Sequence, residues 1–136
     1  VATEENRRNR HSGAKGVAWL RDHLDVLEGM EGRTREVDPV SGAMGASIQT
    51  PLRWLSGLAD DGGLLVTASR DRIAWISTGK GAVEREVPVH YPIRTLAVKD
   101  GTVYAMEQPI FGYGRRHERI QVWPKAGETR IWTIRK

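Results

Sequence analysis

Four histidines, His11, His23, His90 and His117, are the side chains best suited to proton transfer near neutral pH or to metal binding. Their spacing supports neither role strongly. No two form a helical pair, and none sits with carboxylates at metal-ligand spacing. The absence of Cys removes thiolate zinc sites, disulfides and cysteine nucleophiles. Gly112-Tyr113-Gly114-Arg115 lacks the Lys-Ser/Thr that completes a phosphate loop, and no Gly-x-Ser-x-Gly elbow occurs. These residues assign no catalytic or metal site and call for no cofactor.

Binding chemistry is better represented. Arg53-Trp54 forms one cluster, and His90-Tyr91 with Arg94 forms another. Convergent guanidinium, imidazole and aromatic groups suit an anionic or polar ligand. A third cluster is Phe111, Tyr113, Arg115, Arg116 and His117, inside the segment Gln108 to His117. It pairs stacking faces with positive charge, a combination that grips an anion, a sugar or a partner protein. Each cluster has a plainer reading. Trp54 and Tyr91 pack structure together, and residues 108–117 form a self-packed loop.

Something must position these groups, and length limits what that is. The 136 residues fit one domain. No stretch reaches the roughly 18 apolar residues of a membrane helix. No apolar block follows a basic start, so no signal peptide is expected, and the compartment is left open. The chain begins with Val, as expected of a segment processed or cut from something longer. A net charge of +4 and a pI near 9.8 permit an acidic partner. They do not call for nucleic acid, which needs basic residues focused on one face. Residues 1–15 carry Arg7, Arg8, Arg10, His11 and Lys15 with almost no large apolar side chains. They are expected to be a loosely ordered basic tail ahead of a single domain, 16–136.

The domain repeats itself. Leu-Ala or its like precedes an acidic or glycine turn three times, around Ala18, Ala59 and Ala97, which are 41 and 38 residues apart. Asp60-Asp61-Gly62-Gly63 and Asp100-Gly101 are hairpin turns followed by alternating apolar runs. A third strand and a glycine turn come next: Arg33 to Asp38 before Gly42, Arg72 to Ser77 before Gly79, and Arg119 to Trp123 before Gly127. A fourth strand follows each turn, and Pro51 and Pro92 mark the steps between units. The spacing predicts three units of four short strands, 16–51, 52–92 and 93–136. Trp19, Trp75, Trp123 and Trp132 fall on strands, as core or interface aromatics.

Gly57-Leu58-Ala59-Asp60-Asp61-Gly62, Thr95 to Tyr104, and Ser77-Thr78-Gly79-Lys80-Gly81-Ala82-Val83 resemble the blades of β-propeller proteins. The similarity is to the streptogramin-lyase-like, NHL-like and quinoprotein-like groups. It implies an all-β fold and, for function, only a scaffold that hosts unrelated activities. A non-enzymatic binding or scaffolding module is the first expectation, with residues 53, 54, 90, 91 and 94 at one end of a channel. An enzyme of the propeller lyase kind is the alternative, with His90 as its best-placed acid–base group. Propellers close with about four to eight blades. Three blades make an open wedge, so a homodimer or different partner chains are expected to complete the ring. The outer blades, with Trp19 and Trp132, should then lie near an interface.

A rival reading attaches to the first unit. Val17, Leu20, Leu24 and Leu27 make a helical stripe with Gly29 as a C-cap, and Thr50-Pro51 suits the start of a second helix. Two helices and a β-meander would give a small α+β domain similar to basic microbial ribonucleases. Glu36, Arg72 and His90 or His117 would then carry acid–base and phosphate chemistry.

Overall fold

Two-residue turns convert the alternating apolar runs into antiparallel hairpins. The computed structural model describes residues 14–89, 91–108 and 118–134. The first sheet holds β1 (Ala14–Leu20), β2 (His23–Glu28), β3 (Arg33–Val37) and β4 (Met44–Gln49). The second holds β5 (Ser56–Asp61), β6 (Leu64–Ala68), β7 (Arg72–Ser77) and β8 (Val83–Pro88). The third holds β9 (Ile93–Lys99), β10 (Thr102–Glu107), β11 (Glu118–Trp123) and β12 (Arg130–Ile134). Every sheet is antiparallel, and its strands lie side by side in chain order. Gly62-Gly63 and Asp100-Gly101 take positive φ at both turn positions, the backbone twist that matches flanking strands.

The first hairpin shows why no helix forms. Arg21 adopts a φ of 57° and reverses the chain between Leu20 and His23, so the turn closes without glycine. Reversal splits the apparent helical stripe between two faces. Leu20 and Leu27 enter the core, while Leu24 pairs with exposed Trp19 on the other face. Burial against the neighbouring sheet outweighs the weak helical preference of one window. Residues 50–55 likewise form an irregular link rather than a helix. The two-helix α+β alternative is therefore overturned, and no helix occurs among the described residues. The ribonuclease arrangement built on those helices loses its scaffold. Glu36 and Arg72 stand on different sheets, and Arg72 is paired with Asp71 and Glu86.

The three sheets stack through two apolar layers. Leu65, Ala74 and Ile76 face the first sheet and pack with Leu20, Leu27, Leu55 and Leu58. Val66, Ala68, Ile73 and Trp75 face the third and pack with Ile93, Leu96, Val103 and Ala105. The middle sheet is thus buried on both sides. β5 runs beside both β1 and β9, so the first strand of each sheet lines one common edge. Gly57 allows a close approach there. Its φ is 73°, and a Cβ on it would stand 3.0 Å from the backbone nitrogen of Leu96.

The far faces of the two outer sheets have no covering layer among the described residues. Val17 (62% exposed) and Trp19 (58%) lie on the first. Trp132 (45%) and Ile134 (36%) lie on the third, where the indole meets the Tyr104 ring at 5.9 Å.

Candidate functional site

Each connection between sheets is latched to the turn beneath it. The Thr50 amide (2.9 Å) and hydroxyl (2.7 Å) both donate to the carbonyl of Gly32, and the Leu55 amide donates to Gly29 (2.7 Å). The Val89 amide donates to Asp71 in the same way at 2.9 Å. The Ser56 hydroxyl reaches the Ile93 carbonyl and ties the second sheet to the third. These latches bring the links and the second turn of each of the first two sheets to one end of the stack.

A cleft of about 520 Å³ opens at that end. Met30 comes from the β2–β3 turn, Trp54 from the first link, Arg70 from the β6–β7 turn, Arg94 from the start of β9 and Gln108 from the end of β10. Trp54 has a φ of 58°, unusual for a bulky residue and maintained only when its surroundings over-determine it. The Ser69 hydroxyl supports it by donating to the carbonyl of Arg53 at 3.1 Å. The result is a half-exposed indole with the Arg70 guanidinium 4.6 Å from its centroid. Arg94 directs one nitrogen toward Met106 Sδ at 2.8 Å and lies 3.9 Å from Glu118. Arg70 has no carboxylate partner among the described residues. The cleft therefore offers an aromatic platform, two guanidinium groups, hydroxyls and an apolar floor of Leu55 and Ile93.

Trp54 and Arg94, distant in sequence, line this one cleft. Arg53 serves its own link instead, donating to the carbonyls of Leu52 (2.9 Å) and Thr50 (3.4 Å). The ring of Tyr91 lies beneath Arg119, 5.1 Å away. His90, Phe111, Tyr113, Arg115, Arg116, His117 and residues 1–13 fall outside the described residues. Sequence reasoning missed Arg70, Ser69 and Met30. Strand parity was the available signal, because in an up-and-down sheet the second turn lands at the same end as the exit.

No protein-family model matches the chain, and no curated protein matches it in sequence. Solved structures do resemble it. Streptogramin B lyase superposes with a TM-score of 0.65 at 15% identity, over 92% of this chain and 42% of that one. Virginiamycin B lyase from Staphylococcus aureus gives 0.63 at 15% identity, over 92% and 42%. The WD40 β-propeller domain of Doa1 gives 0.62 at 14% identity, over 82% and 38%. The fold is that of a partial β-propeller, and its three four-stranded sheets are blade-like. The chain spans about two fifths of the length of these neighbours. They include enzymes as well as WD40 domains, so the likeness carries the fold and no activity.

Proposed function

We propose that this chain is a non-enzymatic binding module that works inside a complete propeller, with further blades supplied by a second copy or by other chains. The observation that carries this reading is the pair of uncovered sheet faces. The middle sheet is buried on both sides, whereas Trp19 and Trp132 stand 58% and 45% exposed on faces built to the same pattern. Contiguous apolar surface of this kind marks an interaction site. A symmetric pair is the commonest assembly and would give six blades. The cleft at Trp54, Arg70 and Arg94 would then open at one end of the ring. Its indole and guanidinium groups suit an anionic ligand with a flat or apolar body. The enzymatic alternative depends on His90, which lies outside the described residues.

Sedimentation velocity across micromolar concentrations tests the assembly. A reversible dimer or a stable hetero-complex is expected, and a compact monomer of 15.2 kDa at every concentration refutes it.

A further inference from the structure

At the opposite end of the first two blades lies a second cleft, of about 320 Å³. Its chemistry is the reverse of the first. Asp25 on β2 and Glu36 on β3 are direct cross-strand partners, so two carboxylates occupy neighbouring positions on one face. Like charges directly opposed across a strand pair are destabilising unless something stands between them. Asp60 brings a third carboxylate from the second blade. Asp25 is the unusual member. It is 3% exposed and lines the cleft, yet no hydrogen bond reaches it among the described residues. Its oxygens are not sealed off within the protein, so the cleft is where this carboxylate meets solvent or a ligand.

Among the described residues, the other groups at the cleft form no hydrogen bond to Asp25. His23 Nδ1 is 3.7 Å from Glu36, on an exposed side chain. Arg21 lies against Gly63, where an added Cβ would fall 1.8 Å from its guanidinium, and it makes no ion pair among the described residues. Asp60 accepts one bond, from the Gly63 amide at 3.2 Å. Three carboxylates thus face one guanidinium and one imidazole.

We infer that this cleft binds a primary alkylammonium group, inserted between Asp25 and Glu36. An ammonium is a compact charge with three donors, and the two carboxylates with the Thr78 hydroxyl supply acceptors. Leu20 and Ile48 provide an apolar wall for the attached methylenes. A metal ion fits less well, since among the described residues no three His, Asp or Glu side chains are grouped to hold one. The inference does not depend on the first cleft or on how the propeller closes.

Calorimetric titration with butylamine, diaminobutane and acetyl-lysine amide tests it. Saturable binding of butylamine is expected, weakened at least about tenfold by Asp25→Asn and by Glu36→Gln. Tetramethylammonium, which has no N–H donor, should not compete. Tighter binding of diaminobutane than of acetyl-lysine amide points to a free amine, and the reverse order to a lysine side chain. Asp25→Asn should keep or raise the melting temperature, because it removes an uncompensated charge. Should that variant not fold, Glu36→Gln decides alone, its side chain being 42% exposed. Absence of saturable binding up to about 10 mM, binding unaffected by either substitution, or displacement of the amine by calcium or zinc at the same site overturns the inference.

Discussion

Replacing Trp132 with Ser should weaken assembly of the folded chain, over and above its cost to the fold itself. An indole side chain contributes about 200 Å² of surface, and 45% of Trp132 stands exposed. Covering the remaining ~90 Å² against another blade is worth about 2 kcal/mol at ~25 cal/mol per Å². That is a factor of about 30 in dissociation constant. Trp19, at 58% exposed, gives about 3 kcal/mol and a factor of about 100 by the same reasoning. Folding should suffer as well, because the part of each indole already covered within the chain is lost, about 3 kcal/mol for Trp132 and about 2 kcal/mol for Trp19 by the same arithmetic. Trp132 loses its contact with Tyr104, worth about 1 kcal/mol, and Trp19 belongs to neither apolar layer between the sheets. The assay is sedimentation equilibrium of wild type and both variants, with urea unfolding of each in parallel. Variants that associate as tightly as wild type would refute the claim that these faces are interfaces. So would unfolding of the variants extensive enough to account for the change in association.

Gly57→Ala should destabilise the chain by about 2–4 kcal/mol, from the left-handed backbone and the contact with β9, read as a lower urea midpoint. Trp75→Phe removes the indole N–H that donates to Asp61 at 2.9 Å. A double-mutant cycle with Asp61→Asn should give a coupling of about 1–2 kcal/mol, and zero coupling would dismiss the bond as incidental. The Asp25 carboxyl is held above its ordinary value of 3.8, chiefly by burial and then by the charge of Glu36, with His23 opposing. Folding therefore favours the protonated form. Stability should fall as pH rises from the ordinary Asp range through the raised one, with Glu36, His23, Asp60 and Arg21 facing the group. Asp25→Asn should flatten that part of the pH profile.

The three blade-like units were legible because their signals are local. Asp60-Asp61-Gly62-Gly63 and Asp100-Gly101 demand positive φ, and the runs beside them alternate with the period of a half-buried strand. The first unit was harder for a local reason too. Its turn lacks glycine, and Arg21 takes the left-handed conformation there, while Leu20 beside it packs with residues of the second blade. The helical stripe from Val17 to Leu27 was a rival reading until that packing divided it. The clefts were less accessible. Trp54 and Arg94 could be singled out by residue type, but their convergence with Arg70 comes from three connections brought to one end. Asp25 carries no signal at all in the sequence, being one aspartate among ordinary strand residues. Its register opposite Glu36 and its burial beneath the second blade are set by pairing between distant segments. Turn chemistry and alternation are properties of neighbours along the chain, whereas the meeting of charges across blades is a property of the packed sheets.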